Sequence, residues 1–129
     1  MYIRFTTTEN DNRSGKPKGI FTLAYELIDE ESLYAEDEKT LKELLGWFGD
    51  NLPVPTKFSK NRNDYHKNTL GISWLKPQST KVVNKFWGLK SILEIAGYHI
   101  EVIKTDRPGK IVYEDLHQLV AVPFGGEKF

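Results

Sequence analysis

Apolar side chains recur along the chain with periods that predict strands and helices. Residues 2–7 alternate, with Ile3 and Phe5 facing one way and Tyr2, Arg4 and Thr6 the other, which predicts a strand. Residues 19–30 and 36–50 place apolar side chains three and four positions apart, which predicts two amphipathic helices. The polar residues 8–18 between the strand and the first helix predict an exposed loop.

The second half of the chain predicts one more helix among short strands. Apolar residues spaced for a buried helical face run through 79–96, with Ser79 or Thr80 as the expected N-cap and Gly97 at the terminating position. Segments 70–76, 98–105, 110–113 and 118–123 have the composition of strands, and the turn sequence at 106–109 joins two of them.

The resulting element order is β-α-α-β-α-β-β-β. Because the last strands are joined by short turns, we expect an α+β fold with a mainly antiparallel sheet and helices on one face. A length of 129 residues fits one domain with one core. Residues 57–68 are predicted to form an exposed basic loop, and residues 124–129 a flexible tail.

The net charge of zero conceals a strong asymmetry along the chain. Residues 1–52 have a net charge of −5, residues 53–110 of +7, and residues 111–129 of −2. Two interpretations stay open: the segments form opposed acidic and basic surfaces that engage a partner, or they attract each other within the fold.

Composition narrows the range of chemistry. The absence of cysteine excludes disulfides, thiolate metal sites and cysteine nucleophiles. No apolar run is long enough to act as a signal segment or a membrane span, so we expect a cytoplasmic protein with no membrane partner. No motif indicates a metal or a cofactor, and the oligomeric state stays open.

The most basic segment is the first candidate site. Cations and aromatic rings are interleaved there, as in surfaces that bind nucleic-acid backbones and stack on bases. An acidic protein partner would suit the same surface. The candidate contacts, including two residues of the following strand, are Lys57, Lys60, Arg62, Tyr65, Lys67, Trp74 and Lys76.

The turn at 113–118 is the second candidate site. It places the carboxylates of Glu114 and Asp115 beside the imidazole of His117, a combination suited to general acid–base catalysis. The alternative is an exposed turn without chemistry, because the spacing matches no metal motif.

A third candidate site combines Arg4 on the first strand, Ser73 on the middle strand, and Glu114 or Gln118 near the last. This ordered series loosely resembles that of small ADP-ribosyltransferases, in which the corresponding residues hold NAD. The chain departs from that family: Ile72-Ser73-Trp74-Leu75 replaces its Ser-Thr-Ser run, and its Glu-x-Glu pair is absent. The alternative is that Arg4 forms a surface ion pair and Ser73 faces solvent.

Two segments, Ile72-Ser73-Trp74-Leu75-Lys76 and residues 107–115, resemble those of small uncharacterised bacterial proteins. That resemblance implies a bacterial or phage context and no particular activity. The first functional hypothesis is therefore a non-enzymatic module that engages a macromolecule through its acidic (19–52) and basic (57–90) surfaces. The alternative is a small enzyme acting on a nucleotide or nucleic acid.

Overall fold

The computed structural model of the protein describes residues 1–9, 19–55 and 71–125. The predicted α+β class and element order are confirmed, and the predicted ends of the elements differ by no more than two residues. The predicted basic loop at 57–68 lies outside the described residues, as do most of the predicted loop at 8–18 and most of the predicted tail at 124–129. The elements are β1 (Tyr2–Thr7), α1 (Ile20–Asp29), α2 (Ala35–Asn51), β2 (Ile72–Leu75), α3 (Thr80–Ile95), β3 (Ile100–Thr105), β4 (Lys110–Glu114) and β5 (Gln118–Val122).

The five strands form one antiparallel sheet in the order β3-β1-β2-β5-β4. β1 pairs with β3 over its whole length, from Tyr2↔Thr105 to Thr7↔Ile100. β2 pairs with β5 over four residues. The two halves of the sheet are joined by a single register pair, Ile3↔Leu75.

The three helices cover one face of the sheet, as the sequence predicts. Ile3 and Phe5 of β1, Leu75 of β2 and Ile100 of β3 enter one apolar core with the buried faces of the helices. Burying these side chains stabilises the fold by about 1.5–3 kcal/mol each. The amphipathic spacing of α1, α2 and α3 therefore orients all three helices on the same layer.

The opposite face of the sheet has a smaller apolar cluster. Trp74, Leu119 and Ala121 are fully buried there, with Tyr2, Ile72 and Ile103 among the partly buried residues around them. Trp74 is among the candidate partner contacts, a role that requires its face to be open. Trp74 is 0% exposed, so that condition is not met.

The C-terminal end of α3 has the expected capping geometry, whereas the N-terminal end does not. Ser79 occupies the N-cap position, but its hydroxyl donates to the carbonyl of Leu116 and makes no capping bond to the helix. The predicted N-cap hydrogen bond is thus replaced by a contact with the β4–β5 turn. At the other end Gly97 has a φ of +99°, and its amide donates to Glu94 O, as expected for a glycine that ends a helix.

The turn between β3 and β4 packs directly on the end of β5. Gly109 has a φ of +126°, and a Cβ at this position would lie 2.1 Å from the carbonyl oxygen of Val122. Only glycine fits this approach, because both the backbone conformation and the neighbouring backbone exclude a side chain.

We expect Gly109→Ala to destabilise the protein by at least about 3 kcal/mol, since strain and a backbone collision combine. Gly97→Ala is the matched control, because φ is also positive there but nothing lies within 4 Å of the added Cβ. It should cost only about 1–2 kcal/mol. Urea unfolding of both variants measures the difference. Equal losses would show that the packing on Val122 contributes nothing.

Candidate functional site

The sheet is open between β1 and β2. Extending the register of Ile3↔Leu75 would pair Arg4 with Trp74 and Phe5 with Ser73, yet neither pair forms. A pocket of about 510 Å³ lies at this opening. Consecutive residues 3–6 and 73–75 all line it, so the backbone edges of the two strands form part of its wall.

The remaining walls come from the helix layer. The first turn of α1, the last turns of α2 and the segment that follows α2 close the pocket on that side. Most of their side chains are apolar, so the pocket favours an apolar guest. These lining residues are Gly19, Ile20, Phe21, Thr22, Tyr25, Leu45, Phe48, Gly49, Leu52, Pro53, Val54, Pro55 and Phe86.

Four phenylalanine rings pack together on the helix side of the pocket. The ring centroids of Phe48 and Phe86 are 4.7 Å apart, those of Phe5 and Phe86 5.3 Å, and those of Phe21 and Phe48 5.1 Å. The first pair is tilted, the second stacked and the third edge-on, and aromatic pairs at such separations are favourable beyond their buried area. The cluster thus gives the pocket an aromatic wall that its own contacts hold in place.

Arg4 is the only charged residue among those that line the pocket in the described part of the chain. Its Nε atom is buried and has no hydrogen-bond partner among the described residues. Burial lowers the pKa of Arg4 from its ordinary value, because the charged guanidinium loses solvation. The predicted surface ion pair of Arg4 is therefore not found within the described ranges.

Gln118 connects the pocket to the β4–β5 turn. Its side-chain amide donates to the carbonyl of Pro53 at 2.5 Å and to Oδ2 of Asp115 at 3.2 Å. Gln118 and Pro53 both line the pocket. The position of this wall therefore depends on Asp115, although residues 113–117 do not line the pocket.

Asp115 organises the turn as an acceptor. Its Oδ1 accepts the backbone amides of His117 and Gln118 at 2.8 and 3.0 Å, and its Oδ2 accepts the hydroxyl of Tyr113 at 2.8 Å. Partial burial acts to raise the pKa of Asp115, but these hydrogen bonds outweigh it and hold the pKa below its ordinary value. Asp115 is thus saturated with structural contacts.

The predicted catalytic cluster does not assemble into a proton relay. Asp115 contacts the backbone amide of His117 and makes no hydrogen bond to its ring among the described contacts. The ring Nδ1 of His117 lies 3.2 Å from the hydroxyl oxygen of Ser79. That hydroxyl donates its hydrogen bond to Leu116 O. Glu114 forms an ion pair with Lys76 at 2.6 Å. Each group has a structural partner, as in the alternative of a turn without chemistry.

Only two residues of the Arg4–Ser73–Glu114 series lie at the pocket. Arg4 and Ser73 both line the pocket, whereas Glu114 does not and is engaged with Lys76. Gln118 is at the pocket instead, with a neutral amide. In the described part of the chain, no aspartate, glutamate or histidine lines the pocket.

The predicted partner-binding surface is placed only in part. Lys57, Lys60, Arg62, Tyr65 and Lys67 lie outside the described residues. Lys76 is only 14% exposed and paired with Glu114. On α3 the amines of Lys81 and Lys85 lie 6.0 and 5.4 Å from the ring centroid of Trp47 on α2, so these cations pack against the fold.

Sequence reasoning singled out Arg4, Ser73 and Gln118 but missed the pocket that joins them. From the sequence, the four phenylalanines and residues 53–55 could be recognised only as apolar or proline residues. Periodicity does not indicate where two strands separate, so it could not predict that these residues line a pocket. The described residues contain no group of three or more histidine, aspartate or glutamate side chains placed to hold a metal ion. Among the helices in the described ranges, none has the length and apolarity to cross a membrane.

Comparison with protein-family models, with curated proteins and with solved structures found no match to this chain.

We expect Asp115→Ala to lower the free energy of unfolding by about 2 kcal/mol at neutral pH, because several donors lose a charged acceptor. The pKa of Asp115 is lowered in the folded state, so this stabilisation is complete above the unfolded-state value of 3.8 and is lost as the pH falls through the folded-state pKa. The gap between wild type and variant should therefore narrow with acidification in urea titrations.

The control for this series is Asp106→Asn. Asp106 is 74% exposed and lies 3.6 Å from the N-terminal ammonium, so its removal should cost less than about 1 kcal/mol. A gap for Asp115→Ala that does not change with pH would show that its charge makes no contribution.

Proposed function

We propose that the protein is a small-molecule-binding module whose ligand occupies the pocket between β1, β2 and the helix layer. The observation that carries this proposal is the opening of the sheet beyond Ile3↔Leu75. The two strands do not continue their pairing beyond this point, and residues of both line the pocket.

The size and lining of the pocket support this function. A volume of about 510 Å³ lies inside the range of roughly 300–1,000 Å³ that small-molecule sites occupy. Phenylalanine rings and aliphatic side chains supply the apolar contacts, and Arg4, Ser73 and Gln118 supply a few polar groups. Such a lining suits a ligand with an aromatic or acyl body.

The polar groups favour binding over acid–base catalysis by side chains. A general acid or base needs a titratable group within reach of the substrate. The described pocket residues offer a guanidinium, hydroxyls and an amide, none of which exchanges protons readily near neutral pH. The ADP-ribosyltransferase-like hypothesis draws no support from the position of Glu114.

N-phenylnaphthylamine, a neutral aromatic probe whose fluorescence rises in apolar surroundings, tests the pocket. We expect it to bind the wild type and to lose most of its binding to Gly49→Leu, because Gly49 lines the pocket and has open space around an added Cβ. Gly46→Leu is the matched control. Gly46 also lies on α2 in open space but does not line this pocket.

Both leucine variants replace a helical glycine and should be more stable than the wild type by about 0.5–1 kcal/mol. A loss of binding therefore cannot be attributed to unfolding. Absence of probe binding to the wild type, or equal binding to both variants, would contradict the proposal.

A macromolecular interface is the second candidate function, and the charge of the α1–α2 region favours it. Residues 19–55 contain nine aspartates and glutamates against two lysines. Asp29, Glu30, Glu31 and Asp50 are all exposed. A partner of opposite charge would be attracted to this acidic surface, while the basic residues 57–67 would attract an anionic one.

Pull-downs from the native host test the charged surfaces. One variant changes Lys57, Lys60, Arg62 and Lys67 to glutamine; the other neutralises Asp29, Glu30, Glu31 and Asp50. A charge-led partner should be lost from one variant only and released by about 1 M salt, where the screening length is about 3 Å. Recovery that is indifferent to salt and to both variants would exclude this interface.

A further inference from the structure

We infer that the ligand of the pocket is an organic anion, and that its charged group is bound by the guanidinium of Arg4. This inference rests on the proposed small-molecule function and specifies the class of ligand. It is carried by the position of Arg4, which is the only charged residue lining the pocket in the described part of the chain and takes part in none of the ion pairs found there.

An unpaired buried cation is costly for a folded protein. Removing a charged group from water is unfavourable unless an opposite charge and hydrogen bonds replace the lost solvation. Most buried polar atoms in native structures have a partner, so an exception calls for an explanation. Arg4 as a whole is half-buried; its Nε is enclosed without a partner among the described residues, and the lowered pKa reflects that loss of solvation.

The neighbours of Arg4 in the described sheet do not neutralise it. Its cross-strand partner on β3 is Ile103, and the residue opposite it on β2, had pairing continued, is Trp74. The closest carboxylate by register is that of Glu101, opposite Thr6, and its Oε1 lies 4.0 Å from Nε2 of His99. None of the described ion pairs includes Arg4.

A guanidinium selects a particular kind of anion. Its planar fork of donors matches two oxygens of a carboxylate, sulfonate or phosphate, and charge-assisted bonds of this type are about twice as strong as neutral ones. The rest of the pocket is aromatic and aliphatic. Arg4 leaves β1 on the face opposite to Ile3 and Phe5, so the geometry points to an amphiphilic molecule with an apolar body on the helix side and one anionic group that reaches Arg4 through the opening between β1 and β2.

Two fluorescent probes that differ by one anionic group test this inference. Anilinonaphthalene sulfonate carries the aromatic body of N-phenylnaphthylamine with a sulfonate added. We expect wild type to bind the sulfonate at least about tenfold more tightly than the neutral probe, the effect of one charge-assisted contact. Arg4→Met replaces the guanidinium with an unbranched apolar side chain. It should abolish the preference for the sulfonate and still bind the neutral probe.

Arg4→Lys adds a second test, because it keeps the charge but removes the planar fork of donors. Its preference for the sulfonate should be intermediate between those of wild type and Arg4→Met. Retained binding of the neutral probe shows that each variant keeps the pocket. If Arg4→Met does not fold, the preference of wild type and the loss in Arg4→Lys remain measurable.

The outcomes separate the two proposals. Failure of the neutral probe to bind the wild type contradicts the small-molecule function itself. Binding of both probes with equal affinity, or a preference that survives in Arg4→Met, contradicts only the role of Arg4. A preference that disappears in Arg4→Met while the neutral probe still binds supports both.

Discussion

The attachment of β1 determines most of what this fold can do. Six register pairs bind β1 to β3, but one pair joins it to β2, so the centre of the sheet is fixed at one point and open beyond it. The helix layer packs below both halves through the same core, to which Ile3, Phe5 and Leu75 all belong. Where β1 and β2 stop pairing, a pocket therefore forms while one core still joins the two halves of the domain.

The β4–β5 turn shows how a region without chemistry of its own can shape that space. A bulge between Ile111 and Tyr113 shifts the register of β4, so that Tyr113 lies opposite Val120 on the side of Gln118. Tyr113 and Gln118 then both reach Asp115, and Gln118 also holds Pro53. The carboxylate of Asp115 thus positions the pocket wall at Pro53 indirectly, through Gln118. A group of residues typical of catalysis therefore has a structural role here.

Local periodicity was sufficient to predict the class, order and approximate ends of all eight elements, because α1, α2 and α3 each bury one regular stripe. The series of Arg4, Ser73 and Glu114 or Gln118 came from a loose family resemblance and not from periodicity, and of its members Arg4, Ser73 and Gln118 line the pocket. It did not predict the burial of Trp74, the diversion of the Ser79 hydroxyl to Leu116 O, or the pocket. These features depend on which distant segments meet, and neither spacing nor composition records that.

The register of β1 has a consequence for the order in which the molecule can be assembled during synthesis. The six pairs of β1 with β3 are all with residues 100–105, so β1 is synthesised well before its main partner. Contacts of such large sequence separation form late because a long loop must close first. On the ribosome, β1 must stay without that partner until residues 100–105 have emerged, while the local helices α1 and α2 can form earlier.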